Sequence, residues 1–180
     1  MDARILPAFT GLLKTQFPAV KVLNGWPLPN FKFQTPALAL IPGASELQRW
    51  TPNIVKKESS SLYKQNNGQY MTDAKLHYFA SSRQEQYDFT AALFKFMDKQ
   101  QESDERTGSN WVFSYGPEDF ENASCQILDF HYLEEALLLK AGEIRTEFTL
   151  LFDSPSIVEV RLPEVTDPQV EAEIGEAVRP

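Results

Sequence analysis

The stretch "TDAKLHYFASSRQEQYDFTAALFKFMDK", residues 72–99, changes its hydrophobic period in the middle, and that change constrains the fold more than any other feature of the chain. Up to Ala80 the period is two. Tyr70, Thr72, Ala74, Leu76, Tyr78 and Ala80 share one face, and Asp73, Lys75 and His77 share the other, as in a half-buried strand. Ser82 and Glu85 then have the spacing of a capping box, in which the serine hydroxyl accepts from the amide three residues on and the glutamate reaches back. Tyr87, Phe89, Leu93, Phe94, Phe96 and Met97 follow at helical spacing. A strand that turns directly into such a helix must pack the helix over its own sheet, which predicts an α+β fold. The two serines form a corner and carry no chemistry.

The rest of the chain supplies partners for that unit. Ile5, Phe9, Leu12 and Leu13 predict a first helix capped by Asp2, with Pro7 inside it and Pro18 ending it. "AVKVL" at 19–23 is β-prone, and "ALALI" at 37–41 reads as a buried strand between Pro36 and Pro42. Residues 45–80 alternate as long antiparallel ribbons, with a projecting part at about 50–70 and a reversal expected at Asn66-Asn67-Gly68, since Asn-Gly suits the positive φ of hairpin turns. Three further strands are expected: "WVFSYG" at 111–116; a strand in which Leu128, Phe130 and Tyr132 alternate with Asp129 and His131; and one in which Ile144, Thr146, Phe148, Leu150 and Phe152 alternate with Arg145, Glu147 and Thr149. Val158, Val160 and Leu162 suggest a last strand, folded back across "DSPS" as a hairpin. The sum is one domain over 1–162: a mostly antiparallel sheet with helices on one face, an extended hairpin, and an acidic C-terminal extension over 163–180.

Charge excludes some functions. The net charge is -8, with half of it in the extension, where Glu164, Asp167, Glu171, Glu173 and Glu176 face Arg179. Such a surface repels nucleic acid, and no cluster of lysine and arginine exists to form a phosphate groove. One cysteine, Cys125, forms no internal disulfide, and no targeting segment or membrane-spanning run is present. A soluble protein folding in the cytosol is the expectation.

Catalytic and metal motifs are sparse. His77 and His131 stand on the polar faces of predicted strands beside Asp73 and Asp129, without another histidine or cysteine at ligand spacing, and read as solvent-facing residues. Cys125 reads as a buried thiol, and Ser59, Ser60 and Ser61 lack the context of an exposed nucleophile. Glu134-Glu135 and Asp104-Glu105 are sequence neighbours, which a strand would point to opposite faces. GxxxxGK and GxGxxG are absent. The expectation is no enzyme, no cofactor and no metal. A histidine-dependent hydrolase is the rival, and a monomeric binding module of the host is a third reading. Loop 24–35, by contrast, carries Trp26, Phe31 and Phe33, and the ribbon adds Trp50 and Tyr63; these five are the candidate subunit or partner contacts.

The order of elements resembles the tail-terminator, or tail-completion, proteins of tailed bacteriophages. The features that carry the resemblance are "LLKTQFPAVKV", "PALALI", "DAKLHYFASSRQEQYDFTAALFKFM" and a closing hairpin in "RTEFTLLFDSPSIVEV". The resemblance implies a hexameric ring that ends growth of the tail tube and meets the neck or connector proteins of the virion, with DNA passing its lumen unbound. It implies no catalytic residue. A ring needs two different complementary patches on each subunit.

Overall fold

The first helix shows how local chemistry sets the element ends. In the computed structural model, which describes residues 2–25, 35–59, 61–99, 111–133 and 144–161, α1 spans Ile5–Gln16. Asp2 does not cap it directly. Its carboxylate accepts from the Arg4 amide at 2.9 Å and its carbonyl from the Ile5 amide at 3.2 Å, forming a turn just before the helix, whose cap residue is Arg4. Pro7 falls in the first turn, where its missing N–H has no intrahelical acceptor to lose. Phe17 donates to the Leu13 carbonyl at 2.8 Å, and Pro18 prevents continuation.

Six strands follow: β1 Lys21–Asn24, β2 Ala37–Lys57, β3 Leu62–Ala80, β4 Trp111–Ser114, β5 Asn122–Leu133 and β6 Ile144–Arg161, with α2 at Arg83–Lys99. They make one sheet in the order β1-β2-β3-β6-β5-β4, antiparallel except for the parallel β1–β2 pair. The chain is therefore a sheet-dominated α+β protein. Ile5, Phe9 and Leu13 of α1 and Phe89, Leu93 and Met97 of α2 join Leu76, Tyr78, Phe148, Leu150 and Phe152 in one core on one face of the sheet. The Tyr78 and Phe89 rings stack at 3.8 Å, and Phe9 meets Phe152 edge-on at 4.9 Å.

The capping box holds in a modified form. Ser82 Oγ accepts from the Glu85 amide at 3.2 Å, while Glu85 reaches back to both the amide and the hydroxyl of Ser81 at 2.6 Å. Both serines serve the corner.

Two expected reversals are absent. β2 and β3 reverse instead between Lys57 and Leu62, where the Glu58 and Ser59 amides donate to the Leu62 carbonyl and Ser59 Oγ accepts from the Leu62 amide. Asn66-Asn67-Gly68 is instead a bulge inside β3. Register slips there against both neighbours, between Arg49 and Asn53 on β2 and opposite Pro155 and Ile157 on β6. Glycine is needed for closeness and not for a turn, because a Cβ on Gly68 would run into the Gln48 carbonyl oxygen. "DSPS" likewise makes no hairpin. β6 passes straight through it for 18 residues, with Ser154 and Ser156 on its buried side. Pairing with β2 and β6 at 66–68, and with β3 at "DSPS", overrides the local turn preference.

The expectations for loop 24–35, loop 98–110, the pair Glu134-Glu135 and the extension 163–180 fall mostly or wholly outside the described residues.

Candidate assembly surfaces

Of the five contact candidates, Trp26, Phe31 and Phe33 lie outside the described residues. Trp50 is 45% exposed within the irregular stretch of β2 that follows Arg49. Tyr63 is buried within the subunit, with the Lys57 ammonium 5.5 Å from its ring centre, and presents no surface. Of these side chains the structure thus exposes Trp50 and withdraws Tyr63.

The sheet has two long edges that lack a neighbouring strand among the described residues. β1 pairs only with Ala37 to Leu40, and the Gly25 amide adds one last bond to the Leu40 carbonyl, so β2 is an edge from Ile41 to Lys57. β4 pairs only with Asn122 to Cys125, so β5 is an edge over 126–133. Beside this second edge runs an aromatic strip built from one face of α2 and one face of β5. Phe130, 36% exposed, stacks on Phe148 at 6.0 Å and meets Phe94 at 5.3 Å and Tyr132 at 5.6 Å. Tyr132 meets Tyr87 of α2 at 5.2 Å. Leu128, the unpaired residue of a bulge between Ile127 and Asp129, is 51% exposed. The strip is uncovered because β4 is only four residues long, a length that local sequence does not fix.

The sheet face opposite the two helices carries a buried apolar patch of Ala37, Ala39 and Phe79 at one end and is otherwise polar among the described residues, and the chain's two histidines share one row on it. His77, Glu147 and His131 are cross-strand neighbours on β3, β6 and β5. His131 is exposed and 2.8 Å from Asp129, as expected for a solvent-facing strand histidine. His77 is not solvent-facing. It is 6% exposed beside Phe79, and burial, with Arg145 and Lys75 nearby, lowers its pKa to about 4 against the opposing pull of Glu147 at 3.6 Å. Its ring is neutral at neutral pH. The unbroken run "YFA" directly after His77, together with Ala37 and Ala39, is the signal of burial on both faces at this end of the sheet. Glu147 is pushed up by burial, but Lys75 at 2.6 Å outweighs this and holds its carboxyl below the ordinary range.

A cleft of about 370 Å³ opens where the ribbon meets the start of α1, lined by Arg4, Lys64, Tyr70, Tyr115 and Glu121 among others. Asp2, Arg4, Glu121 and Lys64 of its lining stand in ion pairs, Lys64 with Glu58 at 3.2 Å. Arg4 bridges Asp2 and Glu121, both at 2.7 Å, and Lys56 on the ribbon reaches Glu118 at 2.5 Å. Glu121 is raised by burial, yet the Glu118 amide and Arg4 bring its carboxyl below the usual value. These pairs tie the ribbon and α1 to the β4–β5 turn. They are mutual anchors within the fold.

Cys125 is fully buried, which raises its thiol pKa well above the ordinary value and makes it a poor nucleophile. Among the described residues no three His, Cys, Asp or Glu side chains converge to hold a metal, and no helix is long and apolar enough to cross a membrane. Compared with known proteins, the chain matches no family model and no curated sequence, so its function is read from its own residues.

Proposed function

We propose that this protein is a structural assembly subunit of a tailed-bacteriophage virion, forming a hexameric ring that ends the tail tube and joins it to the neck. The observation that carries the reading is the pair of unlike sheet edges that β1 and β4 cover only in part among the described residues, one with the exposed Trp50 and the other flanked by the Phe94, Phe130 and Tyr132 strip. A subunit with two different sticky borders suits a head-to-tail contact, which closes into a ring when its rotation permits. The helix-free face carries Asp73, Asp129, Glu147 and Asp153 against Lys75 and Arg145, a surplus of carboxylates that would let DNA slide by. No cofactor is required, and the protein would reside in the virion after assembly in the host cytoplasm.

Three of the four sequence features behind the resemblance coincide with folded elements: α1 leading to β1, the start of β2, and the β3–α2 corner. The fourth, the closing hairpin, is one straight strand. That departure sets the chain apart from the resemblance, and a head-tail connector or neck subunit is the second reading within the same class.

The test is to add the purified protein to tail tubes and inspect their ends by electron microscopy. A ring at one end that arrests further growth supports the tail-terminator reading. Attachment only to neck or connector particles supports the second, and attachment to neither contradicts both.

A further inference from the structure

We propose that the two open edges of the sheet are each other's partners in successive copies: the free stretch of β2 in one subunit adds, antiparallel, to residues 126–133 of β5 in the next. The inference rests on the ring reading and supplies its contact.

Direction comes first. β2 pairs antiparallel with β3, β3 with β6 and β6 with β5, so β2 and β5 run in opposite senses at the two sides of a four-strand block. Copies related by a rotation that keeps the sheet facing one way therefore meet β2 to β5 as an antiparallel ladder, the same pairing used inside the subunit. Among the described residues both edges carry main-chain groups without a strand partner, of the kind that recruit another strand.

The caps on the two edges are staggered. β1 covers β2 at Ala37 to Leu40, level with Phe79, Arg145 and Leu133, where β5 is open. β4 covers β5 at Asn122 to Cys125, level with Asp153, Met71 and Glu46, where β2 is open. Joining the open stretches slides each copy along the strand direction relative to the last. A sheet that closes on itself needs such a stagger, because closure requires strands tilted to the axis.

Chemistry matches along the contact. Between Pro42 and Pro52 the open part of β2 carries Arg49 and Glu46, and 126–133 carries Asp129 and no lysine or arginine, so the one cation of the first border has a carboxylate to meet on the second. Apolar groups also correspond, with Trp50 on one border and Leu128 and Phe130 on the other. Pro42 and Pro52 cannot donate to a ladder, so they bound the stretch of β2 able to pair and limit its register. Without a partner, Trp50 and the aromatic strip would remain two apolar areas facing water on one small protein.

Native mass measurement on the full chain tests this with Trp50→Glu and Leu128→Glu, both at exposed positions. Each variant alone should lose the ring. Mixed, they should form one-to-one pairs, because the intact β5 edge of the first still accepts the intact β2 edge of the second. Hydrogen exchange on the unaltered chain gives an independent readout: amides within 43–51 and 126–133 should gain at least tenfold protection on assembly. Rings from both variants, self-pairing of either variant without cross-pairing, or protection confined to other segments would overturn the edge contact while leaving the ring reading standing. A monomeric unaltered chain would overturn both.

Discussion

Gly116 stands so close to the Glu121 carboxylate that a single added methyl group would occupy the carboxylate's place, and that carboxylate is what holds Arg4 at the start of α1. The absence of a side chain at one position thus permits an ion pair that joins the β4–β5 turn to the first helix. Gly116→Ala should destabilise the fold by about 1–3 kcal/mol, the usual cost of forcing atoms into a filled site. The check is urea unfolding, alone and combined with Glu121→Ala. In the double variant the alanine no longer collides, so the two losses should fall short of their sum; full additivity would contradict the contact.

The β3–α2 corner gives a second expectation. Ser82→Ala removes the acceptor for the Glu85 amide and should cost about 1 kcal/mol, with α2 as the element that loosens. Hydrogen exchange should localise the change to the first turn of α2. An equal loss of protection across the whole sheet would indicate some other role for the serine.

His77 makes stability depend on pH. Its folded pKa of about 4 is below the unfolded value of 6.5, so the unfolded chain binds the proton more readily. The contribution is complete above pH 6.5, declines as pH falls toward 4, and amounts to about 3 kcal/mol at most. Glu147 acts in a lower window: its lowered pKa adds stability that is present above 4.5 and disappears as pH drops through the folded value. His77→Gln should flatten the stability curve between pH 6.5 and 4.5 and leave the steeper acid limb. An unchanged slope across that interval would show that the ring titrates normally in the folded protein.

Much of this architecture was legible because period and burial agree. In β3, Thr72, Ala74, Leu76 and Tyr78 point to the core as alternation requires, and in β6 Thr146, Phe148, Leu150 and Phe152 do the same. The capping pair at Ser82 and Glu85 marked the helix start correctly. What failed were inferences from short turn signals. Asn66-Asn67-Gly68 and "DSPS" carry real local preferences, but β2 and β6 pair through the first and β3 pairs through the second, and the preference is absorbed as a bulge or an irregular register. The candidate surfaces were less legible still. Trp50 was recognisable as an aromatic on a ribbon, whereas the exposure of Phe130 follows from where β4 stops, which depends on pairing and not on any residue of β5. Tyr63 shows the converse, since an aromatic on a projecting ribbon can still turn inward.

The central claim is that these side chains exist to seal copies of the chain together, and the mass of the protein in solution tests it most directly. Sedimentation or native mass measurement at increasing concentration should give a closed particle at six times the 20.5 kDa chain, with no larger species growing beyond it. A particle that stays at the mass of one chain at every concentration would contradict the account.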